Sequence, residues 1–269
     1  MKKRPLHLID GYKVGHRQQY PDGTNYVYSN LTFRKSRLNT VDYVVAFGFQ
    51  YFIKEYLIDV WNKGFFFQPK AKVVSEYKRR LVNYLGNPDI PVDHVEALHD
   101  LGYLPVKIKA IKEGTLVPIG VPLFTIVNTH PDFFWLTNYL ETLLSNILWK
   151  PITSATTAFE YRKRFELHVN LAGYDNAFVM WQGHDFSFRG MSGIEDAVMS
   201  GAGHLLSFTG TDTIPAIDFL EDYYGANSDE ELIGGSVNAT EHSVASLGIA
   251  FFEKEIEEGL HEDAMALFS

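Results

Sequence analysis

Three short groups of residues in the C-terminal third of the chain have the types and spacing to do chemistry. His184-Asp185-Phe186-Ser187-Phe188-Arg189-Gly190 brings an aromatic face, a fixed cation, an imidazole and a carboxylate into one short stretch. A ring such as Phe186 stacks on flat heteroaromatic ligands, and a guanidinium such as Arg189 grips phosphate or carbonyl oxygen. The same stretch also reads as a strand end whose Phe side chains pack inward and whose Asp caps a turn. Both readings stand on these residues alone. Gly210-Thr211-Asp212-Thr213 suits a helix N-cap. In a site, Asp212 would accept a ligand amide N–H and repel a ligand carboxylate. Ser236 with Glu241-His242-Ser243 reads as a helix start, or as a proton or phosphoryl acceptor at His242. Arg34-Lys35-Ser36-Arg37 is a solvated loop or an anion clamp. His184, His204 and His242 lack the spacing of metal ligands, and the absence of cysteine removes thiolate chemistry, disulfides and Cys-based zinc sites.

Elements must hold these groups in place. The apolar run 177–181 predicts a buried strand leading into the first loop, and Ser192-x-x-Glu195 predicts a capping box that starts a helix to about Leu206. Thr209–Thr213 leads to a helix closed by Gly225, and Ile233–Val237 leads to a helix ending near Glu258. Three β-loop-α units in a row predict parallel strands, with the polar residues at the strand ends that carry sites in α/β folds. Upstream, strand character at 26–33 is followed by an amphipathic helix from Phe49, a helix over Ser75–Leu85 and another from near Pro91 to Gly102. Residues 104–127 alternate like a small antiparallel meander. A helix follows Pro131, with the stripe Leu136, Leu140, Leu143 and Ile147, and a further one runs from about Ser154 to Leu171.

Bulk properties narrow the class. The 269 residues are 46% hydrophobic and 21% charged, an ordinary globular composition. A formal charge of −9 argues against a general nucleic-acid binder. No stretch is long and apolar enough to span a bilayer, and the basic N-terminus lacks the apolar run of a signal peptide. A cytoplasmic location is expected.

In these groups the chain resembles the nicotinamide phosphoribosyltransferase family of type II phosphoribosyltransferases. The resemblance extends to Asp10-Gly11-Tyr12-Lys13, Leu123-Phe124-Thr125-Ile126, Trp135–Thr142 and Pro151-Ile152-Thr153, collinear from about residue 8 to about 250. It implies an enzyme that makes nicotinamide mononucleotide and pyrophosphate from nicotinamide and phosphoribosyl pyrophosphate, with Mg²⁺, in NAD salvage. It implies a dimer whose site lies between subunits. Phe186 and the partner subunit's Tyr12 would sandwich the pyridine ring, Asp212 would take the amide N–H, and Arg189 would hold the product phosphate. His242 would be the histidine phosphorylated by ATP, with Ser236 nearby; Asp10 and Arg34 fall in family site segments.

The family's chains are nearly twice as long. A closed eight-fold barrel takes roughly 250 residues, whereas 95 remain after residue 174. The expected fold is α/β: an N-terminal α+β domain over 1–150, then the first βα units of an incomplete barrel over 151–269. The Mg²⁺ and phosphoribosyl ligands would come mostly from the family's C-terminal half: the chain is a fragment, another chain supplies the rest, or its strands join an open sheet. The rival readings are a catalytically inactive binding or regulatory homologue and a nicotinate phosphoribosyltransferase.

Overall fold

Residues 26–33 fold as β1 (Tyr28–Thr32), and the buried run after residue 42 as β2 (Tyr43–Val45). The amphipathic stretch beyond it is α1 (Phe49–Tyr51), which continues as π-wound turns at Phe52–Val60 and Asn62–Phe66. Its inward face, Phe49, Phe52, Tyr56, Leu57 and Val60, is buried as the spacing requires. Helices α2 (Lys70–Leu85) and α3 (Asp93–Leu101) end at Gly86 and Gly102, both left-handed at φ 67° and 82°. Strands β3 (Val106–Ala110), β4 (Leu116–Pro118) and β5 (Pro122–Asn128) follow.

These three strands are not a simple meander. β5 is the centre of an antiparallel sheet of order β1-β5-β3, and β4 pairs instead with β2. The signal for β2 was absent because Val44, Val45, Ala46 and Phe47 are all buried, so the run shows no in-out alternation.

After the short α4 (Leu136–Tyr139), one helix, α5 (Glu141–Ala172), replaces the two that the periodicity predicts. It runs through Pro151, although an interior proline removes a backbone hydrogen bond and costs about 3 kcal/mol. Close packing on that turn offsets the loss. A Cβ on Gly48 would lie 2.7 Å from Pro151 Cγ, and one on Gly203 would lie 2.9 Å from Pro151 O and from Ala155 N. Gly203→Ala should therefore destabilise by about 1–3 kcal/mol, because the obstructing atoms are backbone; urea unfolding of the two proteins measures it.

The computed structural model describes residues 3–257. They fall in two compact units, Met1–Gly235 and Ser236–Ser269. The boundary expected between residues 150 and 151 lies inside α5. One hydrophobic core joins Phe52, Trp61 and Phe124 to Leu148, Met199 and Phe219, so helices from both sides of that position share it.

The final part of the first unit holds β6 (His184–Asp185), α6 (Ile194–Leu205), β7 (Gly210–Thr211) and α7 (Pro215–Tyr224). β6 and β7 are parallel, and Gly210 forms a parallel bridge to Gly235. Two short parallel strands and a one-residue bridge at Gly235 thus follow the chain order that the βα pattern predicts. They are short, and residues 177–181 are not a strand: Asn176–Trp181 is a 3-10 helix capped by the Asp175 side chain on Ala177 N–H at 2.9 Å. Phe178, Met180 and Trp181 are exposed, as they cannot be in a buried ladder. The second unit contains α8 (His242–Glu257).

The capping box at Ser192 is also absent. α6 begins at Ile194 without a side-chain cap. Asp196 instead accepts the Ser192 N–H at 3.0 Å, and Glu195 turns back to accept hydrogen bonds from the Tyr51 and Tyr56 hydroxyls.

Candidate functional site

The ends of β6 and β7 are built around a buried carboxylate. Asp185 accepts the Ser187 N–H at 2.9 Å and the Thr213 hydroxyl at 2.7 Å, while its own carbonyl accepts the Asp212 N–H at 2.9 Å. Gly201 of α6 lets Asp185 approach, because a Cβ there would sit 3.0 Å from Asp185 Oδ2 and 2.9 Å from Ala216 Cβ. Burial opposes ionisation of Asp185, but the bonds from Ser187 and Thr213 outweigh it and hold its carboxyl below the ordinary value. Such a group stabilises the fold above its unfolded pKa of about 3.9 and loses that contribution as pH falls through the lower folded value. Asp185→Asn should therefore cost about 1.5–3 kcal/mol near neutrality. The gap to the parent should close below about pH 4; denaturant melts across a pH series measure it.

On this base the structure brings two of the sequence-derived site residues together. The Phe186 ring is 70% exposed and stacks on His184, with centroids 4.3 Å apart and planes 25° apart. His184 Nε2 lies 2.8 Å from Asp212 Oδ1. An aromatic face and a carboxylate thus share one imidazole at the tips of adjacent strands. Arg189 occupies the next turn, Phe188–Gly190, with its side chain exposed. Among the described residues it makes no ion pair. That turn is tethered by Asp196, which binds Ser192 N–H and lies 3.1 Å from Lys150 Nζ.

A cleft of about 510 Å³ lies between α5 and β6, lined by Trp149, Thr153, Tyr161, His184, Asp185 and His204 among others. His204 Nε2 donates to Gly210 O, 3.0 Å away, and burial lowers its pKa despite the Asp185 charge. Phe186, Asp212 and Arg189 do not line this cleft; the first two meet on His184 instead.

The remaining expected residues lie elsewhere. Tyr12 is 64% exposed on the 3-10 helix Gly11–Gln18, edge-on to His16 at 5.0 Å. Asp10 accepts the Thr142 hydroxyl at 2.8 Å, and Arg34 is exposed after β1. No contact joins these three to the Phe186–His184–Asp212 group among the described residues. Ser236 and His242 are exposed in the second unit, and His242 opens α8. Sequence reasoning overlooked Asp185, Thr213 and His204 as the supporting frame. The signal for it was available in the alternation of Asp185 with Phe186 and of Asp212 with Thr213, where one neighbour faces in and the other out.

The fold has a counterpart among solved structures. Human nicotinic acid phosphoribosyltransferase matches with a TM-score of 0.54 at 18% identity, over 87% of this chain and 39% of that one. The fold is that of a type II phosphoribosyltransferase. Residues 6–108 match the model of the nicotinamide phosphoribosyltransferase N-terminal domain. Nicotinamide phosphoribosyltransferase of Acinetobacter baylyi is 54% identical over 258 residues, 94% of this chain and 50% of that protein. The protein of the same name from Xanthomonas campestris pv. campestris is 32% identical over 235 residues, 87% of this chain and 47% of its own length. In sequence, the chain corresponds to the N-terminal half of nicotinamide phosphoribosyltransferases, and it spans about half the length of the curated relatives it matches.

Proposed function

We propose that this chain supplies the nicotinamide-binding half of a nicotinamide phosphoribosyltransferase, completed by a C-terminal half. The observation that carries the reading is the pairing of exposed Phe186 with Asp212 across His184, in a chain 54% identical to an enzyme of that name. The reaction joins nicotinamide to phosphoribosyl pyrophosphate and releases nicotinamide mononucleotide and pyrophosphate. Departure of pyrophosphate builds positive charge at the anomeric carbon, so the protein's task is mainly orientation and electrostatics. Phe186 stacks on the pyridine ring and the Asp212 carboxylate accepts the amide N–H, which points the ring nitrogen at that carbon. Arg189 holds the ribose 5-phosphate.

Tyr12 is exposed and makes no contact with Phe186 within one chain, which supports a homodimer in which the partner subunit's Tyr12 covers the other ring face. Asp10 and Arg34 would contribute to substrate binding from the same region. His242 would accept a phosphoryl group from ATP, and Ser236 would bind substrate. Mg²⁺ accompanies phosphoribosyl pyrophosphate in such chemistry, but the described residues contain no cluster of His, Asp or Glu able to hold a metal ion. Its ligands would come mostly from the C-terminal half. None of the helices among the described residues is long and apolar enough to cross a membrane, in keeping with a cytoplasmic salvage enzyme.

The test is turnover. The purified chain alone should form no nicotinamide mononucleotide. Mixed with the C-terminal half of the Acinetobacter baylyi relative, it should form the nucleotide with nicotinamide and phosphoribosyl pyrophosphate. A folded mixture that never turns over would establish the inactive binding homologue instead.

A further inference from the structure

The Phe186 ring and the Asp212 carboxylate converge on His184. Its imidazole stacks on Phe186 with centroids 4.3 Å apart, and its Nε2 lies 2.8 Å from Asp212 Oδ1. An ionised carboxylate only accepts, so Nε2 is the donor. The imidazole is itself held. Its side chain is 22% exposed, and β6 sets it in register with Gly210 of β7. A Cβ at that glycine would lie 2.7 Å from His184 Nδ1, so glycine is what lets the ring approach β7. The two groups it touches are far more open: Phe186 is 70% exposed and the Asp212 side chain 49%. Side chains so open to solvent keep several rotamers unless a neighbour fixes them.

A pyridine nitrogen attacks with a lone pair and releases no proton, so the reaction asks for no base at this place. We propose that His184 is a positioning residue for nicotinamide. It fixes the plane of the Phe186 ring and the rotation of the Asp212 carboxylate before the base arrives. The rotamer freedom of both groups is then lost on folding and not on binding. The imidazole does not take the place of the base. It covers one face of an exposed ring that has two, and it bonds one oxygen of a carboxylate that accepts at both. This assignment rests on the nicotinamide reading of the site.

Two variants separate the two contacts. Calorimetric titration follows nicotinamide and 3-acetylpyridine binding to the chain mixed with the C-terminal half of the Acinetobacter baylyi relative, and it reads binding with or without turnover. 3-Acetylpyridine keeps the ring and the carbonyl but has no amide N–H. His184→Phe keeps an aromatic ring over Phe186 and removes the donor to Asp212. It should weaken nicotinamide by roughly fivefold and leave 3-acetylpyridine unchanged. His184→Gln keeps a donor at the place of Nε2 and removes the ring. It should weaken both ligands by roughly fivefold. Affinity for phosphoribosyl pyrophosphate should be unchanged in both, which a general loosening of the fold would not allow. Should a variant fail to fold, the ¹⁵N-labelled His184 ring of the parent decides: Nε2 should stay protonated and hydrogen-bonded when nicotinamide binds. Unchanged or tighter nicotinamide binding in the variants, equal weakening of both ligands by His184→Phe, or loss of the Nε2 hydrogen bond on binding would overturn this assignment alone. A parent mixture with no saturable nicotinamide binding would overturn the reading of the site, and the assignment with it.

Discussion

Glu195→Ala is expected to destabilise the first unit by about 2–4 kcal/mol. Glu195 accepts hydrogen bonds from Tyr51 and Tyr56, two hydroxyls whose side chains are 6% and 4% exposed. Burial, then the hydrogen bond to Glu195, raise both phenols far above their ordinary pKa. They stay protonated donors at any working pH. Truncating the acceptor leaves two buried donors unsatisfied, and each costs about 1–3 kcal/mol. The loss also uncouples the π-wound helix from the start of α6, the helix that follows the Arg189 turn. The midpoint of urea unfolding measures the effect. The triple variant Glu195→Ala, Tyr51→Phe, Tyr56→Phe should recover much of it, since removing both partners of a buried bond costs far less than removing one. A single variant as stable as the parent would show that this carboxylate carries no structural duty.

Asp212→Asn should weaken the preference for nicotinamide over nicotinate by about ten- to hundredfold in the complemented enzyme. Two like charges 4 Å apart repel by about 4 kcal/mol at an effective dielectric of 20, close to a thousandfold. Asp212 is 49% exposed, and solvent screening brings the figure down. Asparagine keeps the shape and can donate to a carboxylate, so the change removes the repulsion while leaving the pocket volume. The ratio of kcat/KM for the two bases is the readout. An unchanged ratio would move the discrimination to another residue.

Much of the architecture was legible because the stabilising pattern was local. Gly86, Gly102, Gly173 and Gly225 each end a helix in the left-handed region, a position that glycine takes at least cost. The β-loop-α rhythm placed Asp212 at a strand tip beside Phe186's strand. What failed was non-local. Nothing near Pro151 announces that Gly48 and Gly203 pack against it and let the helix continue. Glu195 matches the capping-box position, but two buried tyrosine hydroxyls more than a hundred residues away compete for its carboxylate and win. Residues 177–181 are apolar enough for a strand, yet Asp175 caps them as a 3-10 helix, and the sheet beyond them is two residues long. The frame under the site was half visible. Phe186 and Asp212 stand out by chemistry, while Asp185 and Thr213, which hold them in place, look like ordinary turn residues until the strands come together.

The most direct test of the central claim is a crystal structure of the complemented enzyme with nicotinamide. The pyridine ring should lie stacked on Phe186, with its amide nitrogen about 3 Å from an Asp212 carboxylate oxygen. Nicotinamide bound at another place, out of reach of both Phe186 and Asp212, would contradict it.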